Sequence, residues 1–378
     1  MTGVVDLFAG PGGWEEGARG LDLDIVGVEW EGDACATARA AGHQRTHGDV
    51  RHWFPALQFG RPPFTGLLAS PPCQTFSTAG KGSGRRALKR LLKAVPMVAA
   101  GASPTVAMAY RPATTWHADG LLFDMDGVDY RDALVLEPLR VIRDMRPRWV
   151  ALEQVPSVLP VWDAIGDALT SWGYGVATGV LRAEQFGTPQ TRRRAILIAS
   201  LDRTVRMPVP THSRYHHDHP ERLDEGVAPW VSMADALGWG MTDRPYVSVT
   251  VGGAAGGTDP QVLGGTGARR TVQRELDAGR WRVNDQSGTE RDPWWPFTRP
   301  ATTIAGRDIV ADPGANANRF NGSSKSRNDG VRVTLAEAGV LQSFPPDYPW
   351  CGTLTRQFQQ VGDAIPPTLA HAILEAVR

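Results

Sequence analysis

The sequence predicts an α/β protein with a largely parallel sheet covered by helices on both faces, joined to a smaller, loop-rich, mainly β module. Three observations predict it. Through the first two hundred residues, short apolar runs that stop at glycine, proline or an acid alternate with helical stretches. Residues 202–298 are rich in Pro, Gly and Trp without a long amphipathic repeat, and Val247–Gly267 holds seven glycines. Helical periodicity then returns at Thr334–Leu341 and in a final helix, Pro366–Val377.

Taken in order, Gly3–Phe8 is an apolar strand running into the turn Ala9-Gly10-Pro11-Gly12-Gly13, and Trp14–Arg19 starts a helix. Leu23–Val28 is a strand ending at Glu29, followed by a helix over Ala34–Ala41. Asp49, after Gly48, ends another strand candidate. Gly66–Ser70 stops at Pro71-Pro72, Arg148–Glu153 again ends at an acid, and Arg194–Ala199 is a further strand. Sheets of this type bind ligands beyond the carboxyl ends of their strands, which here carry Gly10–Gly13, Glu29, Pro71–Cys73 and Glu153. The expected organisation is 1–200 as a first domain, 201–330 as a second, and 331–378 returning to the first.

The chain has 378 residues, with 40 Lys plus Arg against 40 Asp plus Glu. At 42% hydrophobic and 21% charged residues, it falls outside the disordered class. Cys35, Cys73 and Cys351 are too few and scattered for a disulfide framework, which points to a reducing compartment. No signal-peptide pattern opens the chain, and the uncharged run Ala94–Tyr110 is interrupted by Pro96, Gly101 and Pro104. The expectation is a soluble, cytoplasmic protein without a membrane segment.

Zero net charge does not exclude nucleic acid, because distribution outweighs the sum. Residues 1–60 carry nine acids against four arginines, whereas Lys81, Arg85, Arg86, Lys89, Arg90 and Lys93 form an acid-free basic run. Either a solvated helix face or a phosphate-binding surface fits that run.

The strand, glycine turn and helix at Asp6–Trp14 put backbone amides at a helix N-terminus, as a cofactor cradle requires, although a tight turn alone makes the same pattern. Glu29 stands where a carboxylate accepts ribose hydroxyls, and Trp30 beside it could stack on an adenine. No phosphate-gripping Lys follows the glycines, so a nucleoside-type cofactor fits better than a triphosphate. Ser70-Pro71-Pro72-Cys73-Gln74 sets a thiol in a stiff turn after a buried strand, as a nucleophile needs; a small buried hydrophobe is the plain alternative. Glu153 is the best acid, or else a helix cap. Arg192 and Arg194 alternate along the approach to a strand, so they share a face and could clamp an anion, steer a carboxylate or be surface charge.

DLFAGPGGW (6–14), VEW (28–30), GDV (48–50), SPPCQTFS (70–77), LEQV (152–155), FGTPQTRRRAILIA (186–199), RPATTI (299–304) and QQVGDAIPP (359–367) resemble, in order, the motifs of the DNA (cytosine-5) methyltransferases. The resemblance runs from residue 6 to about 377 and leaves out only variable segments. It implies a Rossmann-like S-adenosylmethionine-dependent methyltransferase fold with 201–330 as the target-recognition domain. It also implies methylation of carbon 5 of a flipped-out cytosine in duplex DNA, with S-adenosyl-L-homocysteine as product and no metal.

By the same resemblance, Phe8 and Trp30 pack about the adenine, Gly10, Pro11, Gly12 and Gly13 supply backbone, and Glu29 holds the ribose. Asp49 reads the adenine amine, with Val50 beside it; Pro72 lies along the methionine part; Asp363 and Ala364 complete the pocket. Cys73 is the nucleophile, Glu153 the acid at the base, and Arg192 and Arg194 orient base and acid. Gln74 is the neighbour of Cys73 at the DNA; beyond the resemblance, the place of the basic run next to Cys73 favours DNA contact by Ser77, Lys81, Arg85, Arg86, Lys89 and Lys93 as well.

Three departures stand out. Gln154 replaces the family's usual Asn after the Glu, Asp363 replaces the Asn of its Gly-Asn pair, and 78–130 exceeds its usual catalytic loop. Gln154 and Asp363 read as tolerated polar variants. A transfer-RNA methyltransferase and a catalytically silent DNA-binding relative are the alternatives; the large 202–298 module argues against the first, and retention of Cys73, Glu153 and both arginines against the second. The expected partners are duplex DNA, bound by a monomer, and a restriction endonuclease acting as a separate protein. His212, His216, His217 and His219 cluster without cysteine partners and read as a solvated loop, not a metal site.

Overall fold

A computed structural model of the chain describes residues 2–53, 64–72, 83–109, 130–216, 219, 222–238, 300–302, 304, 309–311 and 330–378. Its centre is a seven-stranded sheet. The strands are β1 (Thr2–Leu7), β2 (Leu23–Glu29), β3 (Gln44–His47), β4 (Phe64–Ala69), β5 (Trp149–Gln154), β6 (Gly175–Arg182) and β8 (Arg193–Ser200), in the order β3-β2-β1-β4-β5-β8-β6. All run parallel except β8, which is antiparallel to both β5 and β6. A two-residue strand, β7 (Gln190–Thr191), pairs with β9 (Ala301–Thr302), and β10 (Ile309–Ala311) pairs with β11 (Gly330–Arg332).

Alternation along the central strands divides the core in two. Val5, Leu7, Leu67, Ala69, Val150, Leu152, Ala195 and Leu197 face one cluster, while Val4, Leu68, Ala151, Ile196 and Ile198 face the other. The first cluster is covered by α3 (Ser83–Ala99), α6 (Glu137–Met145) and α7 (Leu159–Ser171). The second is covered by α1 (Gly13–Gly17) and the C-terminal α11 (Pro367–Val377). These last two pack against each other, so the end of the chain lies on the helix that follows the glycine turn. The remaining helices are α2 (Gly32–Ala40), α4 (Pro104–Ala109), α5 (Tyr130–Ala133), α8 (Met233–Leu237), α9 (Leu335–Leu341) and α10 (Leu354–Asp363). A capping box of Thr334 and Glu337 starts α9.

Several elements differ from the sequence expectation. The edge strand β6 is half-buried along most of its length and lacks a clean alternation, so its sequence carries no strand signal. Helices α6, α7 and α10 are also additions to the expected set; the first two fill the connections on either side of β5. The apolar run from Ala94 is not broken at Pro96, because α3 continues through that residue and ends near Gly101, whose φ is 121°. The stretch expected as an insertion, 78–130, therefore contains a helix of the core: Leu91, Ala94, Val95 and Val98 of α3 are buried. Of the module at 202–298, only 202–216, 219 and 222–238 lie among the described residues. No described helix is long and apolar enough to cross a membrane.

Candidate active site

The carboxyl ends of β1, β2, β4 and β5 open on one cavity of about 450 Å³. At one end lies the turn after β1, where Phe8, Gly10 and Gly12 adopt φ of 59°, 54° and 117°. Gly12 leads into α1 and packs beneath His43 and Tyr348, whose hydroxyl donates to the Pro11 carbonyl. Glu29, at the end of β2, accepts from the backbone N–H groups of Gly10 (2.9 Å), Trp30 (2.8 Å) and Glu31 (2.7 Å). Burial raises the pKa of its carboxyl, and those three donors act against the rise. Trp30 stands at the rim with its ring largely exposed. Asp49 also faces the cavity, but both of its oxygens take hydrogen bonds from Arg51, which holds its pKa below the ordinary carboxylate value.

The other end is made by β4, β5 and β8. Glu153 is buried, and its Oε1 lies 2.6 Å from Arg194 Nε. Beside it, Gln154 donates to the carbonyls of Pro71 (3.0 Å) and Pro72 (3.1 Å). The end of β5 is thereby tied to the proline turn after β4. Trp14 reaches across from α1 to donate to Ser70 Oγ at 3.0 Å, so the glycine-turn helix meets the same turn. Asp363, at the end of α10, lines the cavity, and burial raises its pKa against the pull of Arg192 and Arg194.

The profile of the family described as C-5 cytosine-specific DNA methylase matches residues 2–94 and 124–236, more than half of the chain. The chain belongs to that family. Among curated relatives, it is 26% identical to the type II methyltransferase M1.HphI of Haemophilus parahaemolyticus, over 99% of this chain and 86% of the relative. It is 25% identical to M.SacI of Streptomyces achromogenes, over 72% of this chain and 71% of the relative. Among solved structures, the Dnmt2 methyltransferase of S. pombe shares the fold, with a TM-score of 0.58 at 14% identity, covering 100% of this chain and 98% of that one.

Most residues expected from the sequence of this cytosine-5 methylase meet in the one cavity: Phe8, Gly10, Pro11, Gly13, Glu29, Trp30, Asp49, Val50, Pro72, Glu153, Arg194, Asp363 and Ala364. Two do not reach its surface. Gly12 is turned toward His43 and Tyr348. Arg192 is fully buried behind the wall, where Nη2 donates to the Ala364 carbonyl at 2.9 Å, so the surface-charge reading of this arginine is excluded. Cys73, Gln74, Ser77 and Lys81 lie outside the described residues, as do the side chains of Arg85 and Arg86. Lys89 and Lys93 are exposed on α3, opposite its buried face.

Other residues line the cavity without a sequence signal of their own. Gln359 and Gln360 fall inside a motif without standing out in it, whereas Arg51, Arg131 and Arg356 carry no pattern that separates them from surface charge. Of the histidine cluster, His216 pairs with Asp224 at 2.8 Å, while His217 lies outside the described residues. Among the described residues, no three His, Cys, Asp or Glu side chains are placed to hold a metal.

Proposed function

We propose that this chain transfers a methyl group from S-adenosylmethionine to carbon 5 of a cytosine in a specific duplex DNA sequence, as the modification enzyme of a restriction–modification pair. One observation carries the reading. The Glu29–Trp30 corner, suited to an adenosine, and the Glu153–Arg194 pair, suited to a pyrimidine ring, line the same cavity, together with Pro72, the residue before Cys73 in the chain. The names of the type II relatives support the restriction–modification setting.

The residues present fit the cofactor. A Cβ at Gly10 or at Gly48 would meet no protein atom among the described residues, so the cavity wall is open at both places. Glu29 Oε1 takes both the Trp30 and the Glu31 donor, whereas Oε2 takes only Gly10 and keeps acceptor capacity for a sugar hydroxyl. Phe8 and Trp30 offer apolar surface for a base, and Asp363 and Ala364 close the far side. When bound, S-adenosylmethionine supplies an electrophilic methyl group.

The protein's own task is to make carbon 5 nucleophilic. The Cys73 thiolate adds to carbon 6, forming a carbon–sulfur bond and moving the ring's electron pair toward carbon 5 and nitrogen 3. Glu153 donates a hydrogen bond or proton at nitrogen 3 and so stabilises the charge arriving in the ring. Arg194, 2.6 Å from Glu153, fixes that carboxyl's direction, and Gln154 fixes the proline turn that leads to Cys73. After methylation, loss of the carbon 5 proton and of the thiolate restores the aromatic ring. A stacked base cannot be approached in this way, so the cytosine is extruded, at a cost of a few kcal/mol. Residues 201–330 read the target sequence, and 331–378 close the cofactor side.

Transfer of labelled methyl to duplex DNA, with none to transfer RNA, tests the reading, and bisulfite sequencing of DNA from expressing cells identifies the site. Duplex containing 5-fluorocytosine should trap an adduct at Cys73, since fluorine cannot leave as the proton does. An adduct at Cys35 or Cys351 would refute the assignment of the nucleophile.

A further inference from the structure

A buried charge cluster lies directly beneath the glycine turn, outside the roles given above. Across β1, β2 and β3, the residues Asp6, Gly27 and Arg45 stand in one register row. A Cβ on Gly27 would lie 2.3 Å from Arg45 Nη1, so only glycine at this place lets the guanidinium cross over β2. Once across, the Arg45 side chain is fully buried and pairs through Nη1 with Glu15 of α1. Its Nε donates to the Gly10 carbonyl at 3.3 Å, and its Nη2 to the carbonyls of Gly10 (3.2 Å) and Ala9 (3.3 Å). Nη1 also donates to the Gln44 carbonyl at 3.0 Å.

Gly10 is thus held at both of its polar atoms. Its N–H donates to Glu29, which faces the cavity, and its C=O accepts from Arg45, which does not. The turn has left-handed φ at Phe8, Gly10 and Gly12, a backbone that persists only when its surroundings over-determine it. Asp6 is close enough to feel the arginine, yet neither of its oxygens accepts a hydrogen bond among the described residues, and burial raises its carboxyl well above the usual range. Glu15 is therefore the ionic partner that keeps a buried guanidinium in place, and the carbonyls use the rest of its donors.

We propose that Arg45 is a positioning residue for the cofactor, holding the Ala9 and Gly10 carbonyls so that Gly10 N–H sets the Glu29 carboxylate at the sugar. This rests on reading the cavity as the S-adenosylmethionine site. A hydrophobic residue of similar size would leave two carbonyls of the turn without partners. A lysine would retain the charge, but it lacks the planar fork that spans both carbonyls.

Titration calorimetry with S-adenosylmethionine and with S-adenosylhomocysteine, alongside DNA binding, steady-state kinetics and thermal melting, tests the role. Arg45→Met should weaken both cofactor forms by about 10-fold to 100-fold, as expected when two carbonyls of the turn lose their charge-assisted hydrogen bonds. DNA affinity should change less than about twofold, and kcat at saturating cofactor less than about threefold, so the defect appears in KM. Gly27→Ala, which displaces the guanidinium without removing it, should reproduce that signature, and Arg45→Lys should recover part of the affinity. A folded Arg45→Met protein with wild-type cofactor affinity and only a lower melting temperature overturns the proposal. Should Arg45→Met not fold, wild-type affinity in Arg45→Lys overturns it equally. Failure of the wild-type protein to bind S-adenosylmethionine would instead sink the cofactor reading and this inference with it, and that outcome is visible before any variant is made.

Discussion

The two ends of the cavity are held by different means. At the glycine-turn end the functional groups are backbone amides and the Glu29 carboxylate, fixed by main-chain bonds and by charges buried beneath the turn, with Asp49 held by Arg51 beside them. At the Glu153 end they are side chains that fix one another: Arg194 on Glu153, and Gln154 on the carbonyls of Pro71 and Pro72. Main-chain bonds share the binding of a ligand among several donors, so one substitution removes only a fraction. A buried side-chain pair has no such reserve. Removing one partner leaves the other charge uncompensated, typically a loss of about 3–5 kcal/mol. Single substitutions should therefore act very unequally at the two ends.

The largest effect is expected at the side-chain end. Cys73→Ala should abolish methyl transfer with cofactor affinity nearly intact, and more than a few per cent of residual activity would count against the nucleophile. Glu153→Gln keeps the shape of the side chain but neither donates an acid proton nor pairs ionically with Arg194. Its kcat should fall by about 10²-fold to 10⁴-fold, the range for lost general acid catalysis, while cofactor affinity changes little. An equal loss in both quantities would mean that the two ends are not separable.

Substitution at the glycine-turn end should be milder and of the opposite kind. Glu29→Ala and Trp30→Ala should each cost about 1–3 kcal/mol of S-adenosylmethionine binding, read by calorimetry, with DNA binding unaffected. Equal weakening of both ligands would show that this corner is not the cofactor's.

A buried acid outside the cavity lining should show itself in stability. Glu184 is fully buried between β6 and β7, with neither oxygen in a well-formed hydrogen bond among the described residues and Arg182 Nη1 3.6 Å away. Burial raises its pKa to about 7. The folded state then binds this proton more tightly than the unfolded chain does. Its contribution to stability is present at low pH and is lost as pH rises from the ordinary carboxyl range through about 7. Glu184→Gln should remove that dependence, so that the variant gains on the wild type between about pH 5 and 8 by up to about 3 kcal/mol in denaturant unfolding. Parallel pH profiles for the two proteins would show that the carboxyl is ionised throughout.

The contrast between the ends also explains what is legible in the sequence. Strands with alternating faces, the glycine turn, Glu29 and Glu153 are local patterns: each is recognisable from a run of a few residues at a strand end. Arg45 is not, because its role depends on a glycine in the neighbouring strand and on an acid in a helix thirty residues earlier. Gln154 reads in the sequence as no more than a tolerated variant, and only the structure places its amide on two proline carbonyls from another strand end. The antiparallel β8 is equally hidden, since an apolar strand has the same composition in either direction. Each of these three features needs register between distant segments.

The smallest effect is expected outside the cavity, on α3, where Lys89 and Lys93 sit on a helix whose other face belongs to the core. Leu91, Ala94, Val95 and Val98 are buried, while Lys89 and Lys93 are exposed, so the helix is anchored and its charges are presented by a rigid element. Ion pairing of this kind with phosphates adds affinity without sequence preference and releases counterions from the duplex. Changing Arg86, Lys89 and Lys93 together to Ala should weaken binding to all duplexes alike. The slope of log affinity against log salt should flatten by up to about three units, roughly one for each phosphate no longer neutralised. The methylated sequence should stay the same, and so should cofactor affinity, because no charge in the cavity is altered. The buried face of α3 is untouched, so melting temperature is the control: a large fall would show that the charges support packing, and an unchanged salt slope would return this face to bulk solvent.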